Sequence, residues 1–381
     1  MAREYTFTKI EDIREVLTHF ANTDKVLGDI GHLRLIPFSG TPEEPRSPFM
    51  DAVSINSAFG ITNTQETEEA VNFCMAEDGA MNVMAEVPMG NSYGYVPVSR
   101  VAYTTIADRA GFEGPVTREC PTLFNYGLEY REGTKFTALV RDGVLIAAWS
   151  KGYAPLSQIE GFENLITAMN DQFGHVEFTG GAYSDYVTFA TITLPDLAST
   201  ALASYNAKVK AAGKTVANII PAVRWTTSDT TNAGMNLYPM LYTDSGLEIR
   251  LDDSIRLRHS GSSSMSDFVD NCYKVMKSLT DTTKKLGELL DIRIKNPEEC
   301  FAKAVTKRKL PKRYAKVIFE DFVNTLGAIV TAHDIYWSLW NIRALAEVDG
   351  ANPSELMRLE ESLAQLLVED WEELDSPLTV L

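Results

Sequence analysis

Seven cations fall within fourteen residues: Lys303, Lys307, Arg308, Lys309, Lys312, Arg313 and Lys316, and no acidic side chain lies between positions 300 and 319. Lysine and arginine at this density neutralise phosphates, and the affinity they give falls steeply with salt as counterions are released. The competing explanation for such a run is a solvated basic face paired with the acidic C-terminal helix. A second group lies upstream. Arg256 and Arg258 share the outward face of a strand whose Ile255 and Leu257 point inward. Arg141, Lys151, Tyr153, Arg224 and Trp225 add cations and aromatic rings to the same layer. Aromatics interleaved with arginine and lysine stack bases and track a sugar–phosphate backbone. The same residue types also serve as ordinary core.

Other constellations carry less. Gly213-Lys214-Thr215 resembles the end of a phosphate-binding loop, but Lys208 stands where the first glycine is needed. A helix also precedes it and a strand follows, the reverse of the order that aims a helix N-terminus at phosphates, so Gly213 reads as a helix C-cap. His259 and Ser260 are neighbours on a strand and point to opposite faces, which leaves the hydroxyl without its base. Asp252-Asp253 has no third ligand near it and reads as a turn. The four cysteines (74, 120, 272 and 300) and five histidines (19, 32, 175, 259 and 333) are scattered. No zinc site is expected, and the thiols are expected reduced and mostly buried. The chain reads as a non-enzyme without metal or cofactor.

Charge is unevenly distributed. The net charge is −17, yet residues 1–90 carry −9 from 15 acidic and 6 basic side chains, and residues 347–381 carry −9 from 10 acidic side chains and Arg358. The body between them is at +1. Anionic ends around a near-neutral body restrain contacts with anionic ligands, or simply solubilise the chain. A length of 381 residues fits two or three domains, and 45% hydrophobic content with 10% aromatics is that of a folded protein. The first residues lack an apolar leader, and no run is long and apolar enough to span a bilayer, so a cytoplasmic, soluble protein is expected.

The elements that must position the candidate residues follow from period and punctuation. Residues 1–90 form an acidic N-terminal region with a helix over Ile10–Phe20, a Pro-rich loop over Pro37–Pro48, a helix over Thr64–Met75 and a methionine cluster at 75, 81, 84 and 89. Residues 91–260 form an antiparallel α+β domain. Its hairpin over Lys135–Ser150 turns at Asp142-Gly143, where a type I′ turn needs positive φ twice. A helix over Gln158–Phe173 follows, then a hairpin over His175–Leu194 turning at Gly180-Gly181 and a helix near Leu197–Ala212. Strands over Thr215–Trp225, around Asp244–Gly246 and ending at Ser254–His259 complete the layer. Residues 261–381 form an all-helical third. Ser264 or Ser266 caps a long helix over 262–290 whose seam (Met265, Phe268, Cys272, Val275, Leu279, Thr282, Leu286, Leu289) alternates threes and fours like a coiled coil. Pro297 and Pro311 open two further helices, Ala328–Ala346 is a buried helix, and Pro353–Trp371 an acidic amphipathic one.

Several stretches, in order, resemble a family of phage and plasmid proteins catalogued as domain of unknown function 932. They are Val98–Pro121, the hairpin and helix running from Ala138 to Leu165, the polar strand Thr226–Gly246 with Ile255–Gly261, and the late aromatic helix Thr331–Glu347 with Asn341. The likeness covers about residues 95–345, while the family's Cys-Asn pair before the histidine step is replaced here by Leu247–Asp253. What the resemblance implies is a mobile-element protein of a bacterial cytoplasm. Its hairpin–helix–hairpin core is similar to that of ring-forming single-strand annealing proteins, which is an analogy of fold.

The expectation is therefore an α+β fold, an antiparallel sheet with a hairpin–helix–hairpin core followed by an all-helical third. The expected function is non-enzymatic binding, with annealing as its extension, of single-stranded nucleic acid by a self-associating phage-type protein. The second reading, from another class, is a phage structural or host-interaction (anti-defence) protein acting through protein–protein contacts.

Overall fold

The computed structural model describes residues 4–30, 33–37, 83–89, 92–111, 121–130, 136–150, 152–214, 218–230, 233–244, 246–251 and 254–376. In chain order the main elements are β1 (Glu4–Phe7), α1 (Ile10–Thr23), β2 (Lys25–Ile30), β3 (Arg34–Pro37), β4 (Val83–Met89), β5 (Ser92–Pro97), α2 (Arg100–Ala110), α3 (Pro121–Tyr130), β6 (Phe136–Arg141) and β7 (Val144–Ser150). Then come α4 (Gln158–Phe173), β8 (Glu177–Ser184), β9 (Thr188–Thr193), α5 (Ala203–Ala211), β10 (Ile219–Thr227), β11 (Met235–Thr243), β12 (Glu248–Arg250) and β13 (Ile255–Leu257). The chain closes with α6 (Met265–Glu288), α7 (Pro297–Lys307), α8 (Lys312–Asn324), α9 (Ala332–Val348), α10 (Pro353–Ala364) and α11 (Trp371–Asp375).

The fold is α+β. A large antiparallel sheet runs β1-β8-β9-β10-β11, with β12 and β13 both pairing β11 along its far edge. Side chains alternate across it, as the strand period requires. Val223, Trp225, Leu237 and Leu241 join the core with Phe162 of α4 and Leu279 of α6, while Ala222, Tyr238 and Met240 cluster apart from it. Two smaller sheets, β2-β6-β7 and β3-β4-β5, enclose a second core with α2 and α3 around Leu35, Val87, Ile106, Phe124 and Leu145.

The first hairpin forms as its Asp-Gly link requires: Asp142 and Gly143 have φ of 48° and 76°, and Arg141 pairs with Val144. Helix α4 starts at the Ser157 cap and stops at Gly174, whose φ is 81°. The second hairpin differs from expectation. It turns at Ser184–Val187, and Gly180 and Gly181 lie inside β8 beside a register shift. A Cβ on Gly181 would come 2.6 Å from the Phe189 carbonyl oxygen, so this glycine admits a close backbone approach, not a turn.

The regions drawn at residues 90 and 260 are not packing boundaries. β1 pairs with β8 and β2 with β6, and the same core that holds Trp225 holds Leu279, Trp340 and Leu363. A sheet face with no helices over it would leave its apolar residues in water, so the C-terminal helices complete this core. Of the two expected caps of helix α6, Ser264 is the one used, in a capping box with Asp267. Its seam is filled within the chain: Phe268, Cys272, Leu279 and Leu286 are fully buried, and the helix packs on α4, α5, β11 and β13. The C-terminal acidic segment is broken into α10, a short 3-10 turn over Gln365–Val368 and α11. The expected helix over Thr64–Met75, most of the Pro-rich loop, and Met75 and Met81 lie outside the described residues. Among the described residues no helix is long and apolar enough to cross a membrane.

Candidate nucleic-acid interface

The basic run of 303–316 divides into two parts. Its first three cations are engaged by the C-terminal segment. Lys303 donates to the Ser376 carbonyl, Lys307 pairs with Glu369 at 2.9 Å and Glu373 at 3.0 Å, and Arg308 pairs with Glu369 and bonds the Gln365 side chain at 2.6 Å. Trp371 and Leu374 are buried beside them. That segment is thus packed into the core, and its anions pair with Lys307 and Arg308, as in the competing explanation of the run. The remaining members, Lys309, Lys312, Arg313 and Lys316, are exposed, and Arg313 lies over the Tyr314 ring at 4.3 Å. Changing Glu369 to glutamine is expected to lower stability by about 1–3 kcal/mol, because Arg308 loses its charged acceptor in a half-buried site. A denaturation midpoint equal to that of the wild type would remove this assignment.

Three of the sheet-layer residues are not available to a ligand. Arg141 is 2% exposed, sits 3.9 Å from the Phe20 ring centroid, and donates to Asp24 at 2.8 and 2.5 Å, Asp229 at 2.7 Å and the Tyr183 hydroxyl at 3.0 Å. Burial pushes the Asp24 carboxyl above its ordinary range, and the Arg141 charge only partly opposes this. Arg224 is 2% exposed because α10 and α9 cover its face of the sheet, where Glu360 and Glu248 pair with it. Trp225 is fully buried against Phe162. The expectation that these side chains line a binding surface is overturned: a cation or ring this enclosed cannot meet a polymer without unfolding. Lys151 lies outside the described residues.

Tyr153 is part of a stack instead of a free surface. Its ring lies between Trp149 at 4.9 Å and His259 at 5.0 Å, and its hydroxyl donates to the Ser228 carbonyl at 3.0 Å. Burial and the nearby Asp229 raise its phenol above the ordinary tyrosine value. Burial lowers His259, with the Ala154 hydrogen bond and Asp229 opposing, so the imidazole is neutral at pH 7.

Arg256 and Arg258 are exposed and share one cleft of about 720 Å³. The cleft brings Arg250 and Arg358 to the same place, from β12 and α10, with Tyr238 in its wall. Arg250 stacks on Tyr238 at 4.1 Å, and Arg256 donates to the Ser254 hydroxyl at 2.8 Å. Glu4, Glu355 and Glu361 also line it, so three exposed cations (Arg256, Arg258, Arg358) meet three anions, while Arg250 is buried in the wall. Glu355 is occupied in the capping box at Asn352. Arg250, Arg358 and Tyr238 were not expected from sequence. Arg358 carried a signal, as the single basic residue of residues 347–381. Arg250 ends the short strand Glu248–Arg250 as a cation isolated in the sequence and carried none. Among the described residues no group of three or more His, Cys, Asp or Glu side chains is placed to hold a metal ion. Compared with family models, curated proteins and solved structures, the chain gives no match.

Proposed function

We propose that the protein binds single-stranded nucleic acid without catalysing a reaction, and that the arginine cleft at the β12–β13 edge is its backbone site. The observation that carries this reading is the convergence of Arg256, Arg258 and Arg358, all exposed, from two separate elements into one open groove. Phosphates spaced along a strand suit cations spaced along an edge, and guanidinium groups hold them by paired hydrogen bonds. The fold-level analogy of the hairpin–helix–hairpin core to ring-forming single-strand annealing proteins agrees with a polymer ligand of that kind, and self-association on such a polymer would extend binding to annealing. A second reading, a phage structural or host-interaction protein, draws on Ile329 and Val348, which are 57% and 84% exposed beside a groove between α8 and α9.

Titration of a labelled oligothymidylate at low and moderate salt separates the two. Binding is expected to weaken with salt, and the Arg256→Gln/Arg258→Gln protein should bind more weakly, its log–log salt slope shallower by about 0.7 for each phosphate it no longer neutralises. No binding at low salt removes the nucleic-acid reading in favour of protein contacts.

A further inference from the structure

Resting on that reading, we propose that His259 is a stacking platform for a nucleobase, as the outer ring of a three-ring column that rises from the core. Trp149 is its buried foot, held by a hydrogen bond from its indole to the Asp229 carbonyl at 2.5 Å. Tyr153 stacks on it with 20° between the ring planes, and His259 stacks on Tyr153 with 11°. Each ring is also fixed at its edge. The Tyr153 hydroxyl is tied to Ser228, and the His259 Nδ1–H donates to the Ala154 carbonyl at 3.2 Å. The Thr227 hydroxyl reaches Nε2 at 3.4 Å.

These contacts use both imidazole nitrogens and one face. His259 is nevertheless partly exposed, and among the described residues no ring stacks on its other face. A flat ring that cannot tilt, with its hydrogen-bonding edge already satisfied, offers an incoming molecule only a π surface. The matching ligand chemistry is a planar heteroaromatic ring. Arg258, the preceding residue, faces the arginine cleft. Strand alternation turns the His259 ring to the other side of that edge, so the platform and the backbone site are separate contacts with one nucleic-acid strand. Because Nδ1 and Nε2 are engaged inside the protein, the platform reads no base edge, and the preference it gives is for bases over bare backbone, not for one base.

The test compares two oligonucleotides of equal length and charge, oligothymidylate and its fully abasic counterpart. Wild-type protein is expected to bind the first about five- to a hundredfold more tightly, the range that loss of one stacked base spans. His259→Ala should reduce that ratio toward one while leaving abasic binding unchanged, and His259→Phe should preserve it. Equal binding of both oligonucleotides by the wild type would overturn the platform while leaving the backbone site standing. Failure of both to bind at low salt would overturn the two together. Should His259→Ala not fold, an oligonucleotide carrying 2-aminopurine decides on the wild type alone. Its fluorescence is expected to be quenched on binding, and unquenched fluorescence in a saturated complex overturns the proposal.

Discussion

Replacing Glu360 with alanine is expected to cost about 3–5 kcal/mol of folding stability, because it strips one shared acceptor from two buried arginines at once. Glu360 receives Arg224 on one oxygen and the Arg343 Nε–H on the other at 2.9 Å, and all three side chains are 2–3% exposed. Glu248 is the second bridge between the same arginines, 2.7 Å from Arg343. Without Glu360 one carboxylate must serve two enclosed guanidinium groups. The contrast is Glu347, which pairs with Arg343 at 2.5 Å but is 54% exposed. Glu347→Ala should cost under about 1 kcal/mol, since water replaces most of an exposed partner. Chemical denaturation of the two variants checks this, and similar small shifts for both would show that the network is not holding α9 and α10 on the sheet.

The same network sets an acid limit. Burial works to raise the Glu248 carboxyl, but the charges and hydrogen bonds of Arg224 and Arg343 outweigh it and hold it below its ordinary range. A carboxyl depressed in the folded state contributes stability above its unfolded value and loses that contribution as pH falls through its folded value. The Glu248 contribution is therefore intact at neutral pH and fades only below the usual carboxylate range.

What the sequence made legible was governed by local rules. The Asp142-Gly143 hairpin, both ends of α4 and the Ser264 cap of α6 depend on residues within a few positions of one another, and each forms as read. Where the sequence misled, a distant segment decided. Arg224 alternates with Val223 and Trp225 as an outward residue should, and it does leave the main core. Its face is then covered by Glu360, 136 residues along the chain, which no strand period can announce. Arg141 is closed in the same way by Asp24 and Asp229. The basic run of 303–316 contained both possible outcomes: its first three members are matched by 365–376, and the rest stay in solvent. Of the proposed cleft, Arg256 and Arg258 were visible through strand alternation, whereas Arg250 and Arg358 arrive only by tertiary folding.

Leu279→Asp is expected to abolish folding outright. Leu279 is fully buried in the seam of α6, which faces α4 and β11 of its own chain. Truncating a buried leucine alone costs about 2–5 kcal/mol. Aspartate adds an unpaired carboxyl in an apolar site, for a further few kcal/mol even if it takes up a proton. The sum reaches the whole stability of an ordinary domain, about 5–15 kcal/mol. Thr280→Asp, one residue on and solvent-exposed, should stay within about 0.5 kcal/mol of the wild type. The pair separates two uses of a heptad-like seam. If it is filled from within, Leu279→Asp yields unfolded or insoluble protein, and the wild-type denaturation midpoint does not depend on protein concentration. If it served an interface between copies, the variant would remain folded with a smaller hydrodynamic size, and the wild-type midpoint would rise with concentration.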